Sequence, residues 1–338
     1  MPLGRHTALS DTGRKRRRNE DAYVVRPPLF AVADGMGGAQ AGEVASRLAV
    51  EALAHDDTGA SGEERVTELI QEANRRIYRH AGEDAATSGM GTTMTVALVD
   101  GDGVVIGHVG DSRAYLVRDE RLRQLTDDHS LVAELIRSGK LSPAEAETHP
   151  QRSVITRALG SDPDVDVDAF TVEARSGDIF LICSDGLTSM VADDAILVAV
   201  LEHRDDFDAA ARELVRLANR GGGEDNITVV CFEIVAEGAV PEETAVMAAP
   251  DTAADDDEDT LDELDGVPTL GDARRDEPER PPAVDTMVVP VSEVEAAAER
   301  PKRRPRRQDE TAKRVLATVL VLLVLAAIAL LVVWGLLR

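Results

Sequence analysis

The chain has 338 residues, with 63 acidic against 37 basic side chains and a formal net charge of −26. That is enough for one large domain or two ordinary ones, and the acidic balance argues against a nucleic-acid binder, which needs a basic stripe to neutralise phosphates. Two cysteines, Cys183 and Cys231, each inside an apolar run, exclude a disulfide scaffold and a four-cysteine zinc site; they fit buried thiols in a reducing compartment.

Apolar runs of strand character recur over residues 1–237, at 29–34, 92–99, 104–111, 112–117, 179–185 and 227–235. Asp100-Gly101-Asp102-Gly103 joins the second and third and predicts a hairpin. Helical spacing appears at 43–54 (Val44, Leu48, Ala52), at 63–82 (Val66, Leu69, Ala73, Ile77, Ala81), at 193–202, and at 208–219 with Leu214, Leu217 and Ala218 inward. Hairpin-paired strands and coupled helices predict an α+β domain of antiparallel sheet covered by helix pairs, not a parallel βαβ repeat.

Beyond 237 the composition changes. Residues 238–299 hold 19 acidic and 3 basic side chains and seven prolines. Self-repelling carboxylates and scarce large apolar groups leave little to bury against the entropy of ordering, so 238–312 reads as a disordered linker that ends in a basic run, PKRRPRRQDETAKR. Val315–Leu337 contains no charged residue, and 23 residues of helix reach about 34 Å, enough for a hydrocarbon core of about 30 Å. Residues 313–338 therefore read as one transmembrane helix. The basic flank keeps the large domain cytoplasmic, giving a single-pass, C-terminally anchored protein of the cell membrane.

Within 1–237, an Asp followed by a small or turn-forming residue closes or opens apolar strands four times, at Asp34-Gly35, Asp111-Ser112, Asp185-Gly186 and Asp225-Asn226. Turn chemistry explains any one of them. Four carboxylates converging in a core would instead repel and take up protons unless hard divalent ions neutralised them, and Mg²⁺ and Mn²⁺ prefer such oxygen ligands. Glu20 and Asp21 add two more carboxylates, separated only by Asn19 from the basic run Arg14-Lys15-Arg16-Arg17-Arg18. Beside a metal site such a run can grip a phosphate. There is no phosphate-cradling P-loop, no nucleophile elbow, no paired-His zinc helix and no kinase catalytic loop. His108, on a strand, reads as a packed core residue.

Arg16-x-x-Asn19-Glu20-Asp21, VADGMGG (32–38), AGEVAS (41–46), GTTMTVALV (91–99), HVGDSRAYL (108–116), LTDDHS (125–130), ITRALG (155–160), ICSDGLTSMV (182–191) and GGGEDNITVV (221–230), in that order, resemble the bacterial metal-dependent Ser/Thr protein phosphatases of type 2C. The resemblance covers 1–237 and implies a four-layer α-β-β-α sandwich of two antiparallel sheets flanked by helix pairs, with two or three Mn²⁺ or Mg²⁺ ions at one end. It implies that Asp34 bridges two ions, that the Gly35 carbonyl and the Glu20–Asp21 pair help hold the second, and that Asp185 and Asp225 complete the first. Asp111 with Asp185 would hold a third, Arg16 would bind the substrate phosphate, and the stretch within 129–155 would form a flap. The implied reaction is hydrolysis of phosphoserine and phosphothreonine in proteins by direct attack of a metal-bridging hydroxide, with Asp34, Asp185 and Asp225 central to catalysis. The implied partners are phosphorylated proteins, membrane Ser/Thr kinases and their substrates. Some members carry a histidine just after the bridging Asp-Gly; here Met36 stands there, which leaves the general acid unassigned. Two rival readings share parts of this logic: a sandwich that has lost catalysis and serves as a membrane scaffold, and a two-metal nuclease, which a domain this acidic does not favour.

Overall fold

A computed structural model of the chain describes residues 2–37, 41–54, 59–83, 87–236 and 287–288. The chain opens with β1 (Leu3–Asp11), β2 (Asp21–Arg26) and β3 (Leu29–Met36), followed by α1 (Ala41–Ala52) and α2 (Gly62–Glu83). Then come β4 (Gly91–Thr92), β5 (Met94–Asp100), β6 (Gly103–Val109), β7 (Arg113–Arg118) and β8 (Arg121–Gln124). Two short helices, α3 (Leu131–Arg137) and α4 (Pro143–Glu147), lead to β9 (Val154–Ile155), β10 (Asp168–Glu173) and β11 (Ile179–Cys183). Helices α5 (Asp185–Thr188), α6 (Asp193–Glu202) and α7 (Phe207–Gly221) precede β12 (Ile227–Ile234), and β13 is Met287–Val288.

The strands form two antiparallel sheets, ordered β1-β12-β11-β7-β8 and β10-β6-β5-β3-β2, with β4 paired to β3. Strand β11 shows why they stack. All five residues of IFLIC are buried, and their side chains alternate in direction. Phe180 and Ile182 enter the layer between the sheets, while Ile179, Leu181 and Cys183 pack under α5, α6 and α7. The inter-sheet layer centres on Phe30, Phe180 and Phe232, stacked with ring centroids 4.2 and 5.1 Å apart. Each such ring contributes about 1.5–3 kcal/mol on burial. On the outer face of the other sheet, Val66, Leu69, Ile70, Ala73 and Ile77 of α2 meet Val96, Leu98 and Val105. The order is helix, sheet, sheet, helix, as the resemblance implies.

The hairpin at 100–103 forms, with Asp100 opposite Gly103, and α6 spans the residues its periodicity predicts. Three departures matter for the site. The strand expected at 179–185 stops at Cys183, and Asp185 opens a short helix. The run expected at 92–99 is broken at Thr93, so β4 leaves β5 to pair with the end of β3. Strands β1, β2 and β10 were not legible: all three are mostly half-buried or exposed, β1 and β10 mix polar with apolar residues, and the apolar part of β2 is only Ala22–Val25. The expected linker and membrane helix lie outside the described residues, apart from Met287–Val288. That pair runs parallel to β9, where no regular structure was expected. Among the described residues no helix is long and apolar enough to cross a membrane.

Candidate active site

Register brings the acidic residues to one end of the sandwich. Asp21 lies opposite Asp34 where β2 meets β3. Met94 pairs with Val109, placing Asp111, two residues beyond β6, at that same end. Cys183 pairs with both Arg113 and Val229, so Asp185 and Asp225 emerge beside it. Arg16 and Glu20 sit in the connection from β1 to β2. Together Arg16, Glu20, Asp34, Gly35, Asp111, Asp185 and Asp225 line a cavity of about 110 Å³, closed on its apolar side by Met36 and Ile155.

One of the expected ligands stands apart. Asp21 does not line the cavity. It lies behind Asp34, where its Oδ2 accepts hydrogen bonds from Ser184 (2.8 Å) and Thr228 (2.6 Å). The acidic pair therefore splits, Glu20 to the opening and Asp21 to the wall behind it. Neighbouring residues in extended backbone face opposite ways, so both could not share one surface.

Backbone and side-chain hydrogen bonds hold these positions. Thr93 donates its N–H to the Asp34 carbonyl (2.9 Å), and its Oγ accepts the Asp34 N–H (3.0 Å). Thr92 adds its hydroxyl to the same carbonyl (2.7 Å). The Gly35 N–H donates to the Glu20 carbonyl (3.1 Å). A Cβ on Gly35 would stand 2.2 Å from the Gly42 carbonyl, and one on Gly42 would stand 2.2 Å from the Glu20 carboxylate. VADGMGG and AGEVAS therefore carry glycine where α1, β3 and Glu20 converge.

Sequence reasoning gave no role to Asn226, Ser184, Thr228 or His129. The Asn226 side chain donates to the carbonyls of Thr12 and Arg18 (both 2.9 Å) and accepts the Glu20 N–H (2.8 Å), tying the basic loop to Asp225. His129 accepts the Gly110 N–H at Nδ1 (2.9 Å), next to Asp111, and its Nε2 meets Asp168 at 3.1 Å. Asp128 takes a two-pronged contact from Arg113 (2.8 and 2.7 Å). LTDDHS is thus a brace behind Asp111. The signal was present only as the motif, because these contacts join residues far apart in sequence. His108 is fully buried, and burial pushes its pKa down to about 3. Cys183 and Cys231 are buried and unpaired, and burial lifts the Cys183 thiol to about 12.

The carboxylates are in electrostatic conflict. Burial first, then the neighbouring carboxylates, drives Asp34 and Asp111 well above the ordinary range. Burial lifts Asp21 to about 7, against the two hydroxyls that lower it, and lifts Asp185 to about 6, with Asp225 adding to the rise. Arg16 donates to Asp225 at 2.8 Å. Buried side-chain oxygens of Asp21, Asp111 and Asp185 have no hydrogen-bond partner. Such orphaned acceptors are costly, and hard cations are what they fit. Among the described residues no three such side chains already close on a single point at ligand spacing. The donor set is nonetheless all oxygen and surrounds one cavity, which suits Mg²⁺ or Mn²⁺, ions that retain several waters of their own.

The protein phosphatase 2C family model matches residues 14–227. The serine/threonine protein phosphatase PstP of Mycobacterium tuberculosis is 41% identical over 263 residues, covering 74% of this chain and 51% of that protein. The chain thus spans about half the length of PstP. The serine/threonine phosphatase stp of Listeria innocua is 44% identical over 236 residues, covering 66% of this chain and 93% of the relative. The crystal structure of M. tuberculosis PstP superposes with a TM-score of 0.66 at 41% identity, covering 70% of this chain and 100% of that one. A PstP catalytic domain in complex with two manganese ions gives 0.62 at 39% identity, covering 69% and 99%. With this fold, these motifs and these relatives, the chain belongs to the protein phosphatase 2C family.

Proposed function

We propose that the chain is a metal-dependent protein phosphatase that hydrolyses phosphoserine and phosphothreonine in proteins. The observation that carries this reading is the pair of orphaned carboxylate oxygens of Asp111 and Asp185 in the wall of a cavity that Arg16 also lines. Asp34, Asp185, Asp225, Glu20 and the Gly35 carbonyl would hold two divalent ions, and Asp111 with Asp185 a third. Asp21 would support Asp34 from behind. Bound ions of this kind lower the pKa of water toward neutrality and neutralise phosphoryl charge. Arg16, tethered by Asp225, would receive and orient the phosphate through its guanidinium fork. Met36 and Ile155 would exclude bulk water from one side of the cleft, which strengthens the charge interactions inside it. The cavity lining holds no histidine, so no side chain there is assigned as proton donor to the leaving alkoxide. The test is phosphate release from a phosphothreonine peptide by the full chain. Release is expected with Mn²⁺ and abolished by excess chelator; turnover unaffected by the chelator would overturn the reading.

The whole protein's partners are part of the same proposal. The uncharged run at 315–337 and its basic flank support a single membrane anchor with the phosphatase domain in the cytoplasm, set against membrane Ser/Thr kinases and their substrates. Cell fractionation reads this directly. The full chain is expected to pellet with membranes and a chain ending at residue 312 to stay in the supernatant; equal partitioning of both would reject the anchor.

A further inference from the structure

Of the five consecutive basic residues at 14–18, only Arg16 lines the cavity. Arg14, Lys15 and Arg17 are exposed, and among the described residues none of the three forms an ion pair; exposed Arg18 has Glu43 at 3.8 Å. Their loop is locked to the one that carries Asp225. The Arg14 and Lys15 N–H groups both donate to the Gly223 carbonyl (2.8 and 3.1 Å). Gly13, at φ +76°, packs so closely that a Cβ there would stand 2.1 Å from the Asp225 carbonyl. The Asn226 amide clamps both ends of the loop through Thr12 and Arg18. Three uncommitted positive charges are therefore held within two residues of the arginine that lines the cleft. Residues 1–237 as a whole carry 42 acidic against 25 basic side chains, this run included, so the rim is a local reversal of sign.

We propose that Arg14, Lys15 and Arg17 form a specificity surface for carboxylate side chains flanking the phosphorylated residue of the substrate. This rests on the phosphatase reading and adds to it a class of substrate, acidic phosphopeptides. An extended peptide advances about 3.3 Å per residue. Acidic residues within two or three positions of a phosphate held at Arg16 thus fall over the rim. The pairs are solvent-exposed, so each is weak and screened by salt, and their joint effect is roughly three- to tenfold in kcat/KM.

The experiment compares two phosphothreonine peptides, identical except for Asp or Asn at the flanking positions, with the full chain and with the double variant Lys15→Glu/Arg17→Glu. The wild type is expected to favour the acidic peptide by roughly three- to tenfold at low salt, through KM, with the preference fading near 0.5 M salt. The variant is expected to lose or invert it while hydrolysing p-nitrophenyl phosphate within about twofold of wild type, since neither residue lines the cavity. Fluorescence anisotropy of the same labelled peptides on Asp34→Asn chain reads the preference without turnover. It therefore still decides the matter if the chain proves to hydrolyse nothing, an outcome that would defeat the phosphatase reading alone. A wild type indifferent to the flanking charge, or a variant that keeps the preference, overturns the proposal. So does faster turnover of the Asn peptide on charge reversal, which would place the chain's own acidic segment at 238–299 on the rim.

Discussion

Asp34→Asn is expected to lower phosphatase turnover by about 10³-fold or more while leaving the fold intact, and Asp225→Asn to do nearly the same. Removing a single preorganised electrostatic partner of a transition state costs about 10²–10³-fold in other enzymes; here the lost charge would also weaken the hold on the ions that the chemistry needs. Asparagine keeps the size of the side chain, and Thr92 and Thr93 bind the backbone of Asp34, not its carboxylate, so the local structure has no reason to change. The variant also carries a second signature. Burial and four neighbouring carboxylates make ionised Asp34 a liability in the metal-free protein, so the metal-free variant should melt higher than wild type, by about 2–4 °C for each kcal/mol relieved. Steady-state kinetics with Mn²⁺ and melting in chelator check the two parts. Turnover within threefold of wild type would remove Asp34 from the metal site.

Manganese itself should stabilise the chain, and more at pH 7.5 than at pH 5. A ligand that binds only the folded state at about a hundred times its Kd contributes about 2.7 kcal/mol per site, or an upward shift of roughly 5–10 °C for a domain this size. The sign of the pH effect follows from the carboxylates. Asp185 rises to about 6 and Asp21 to about 7, both from 3.8, so between about pH 4 and 7 the folded metal-free chain binds more protons than the unfolded one. Its stability is therefore fully present below the ordinary carboxylate range and falls as pH rises through about 6 and 7. Glu72 and Asp168 are held low by their arginine partners and act in the opposite direction, at the acid end of the range. At pH 5 the ion must also displace protons from Asp185, which weakens its binding. Melting curves with and without Mn²⁺ at the two pH values measure the difference. A gap that narrows from pH 5 to pH 7.5 would contradict the assignment of Asp185 as a ligand.

Much of this site is visible in the primary structure, and the reason is local. Each principal carboxylate follows or precedes a run such as IFLIC or ITVVCF, whose apolar character alone marks a strand end. The helix at 193–202 is legible for the same reason: its buried face, Ile196, Ala199 and Val200, repeats within one turn. What escaped is non-local. β1 reads LGRHTALSD and exists as a strand because it pairs with β12, more than 200 residues away. β10 is an edge strand whose partner, β6, supplies most of the apolar contact.

The amino-acid sequence by itself determined the family motifs, the acidic residues at strand ends, the apolar runs that become central strands, and the change of composition after residue 237. Each depends on neighbours within a few positions. Only the tertiary structure decided that Glu20 opens on the cleft while Asp21 is held behind it by Ser184 and Thr228. It also made Asp128 and His129 a brace for the Asp111 loop and left Arg14, Lys15 and Arg17 on the rim beside Arg16. Those outcomes depend on which strands meet across long stretches of chain, and burial and charge at a position are set by that meeting rather than by the residue's own neighbours in sequence.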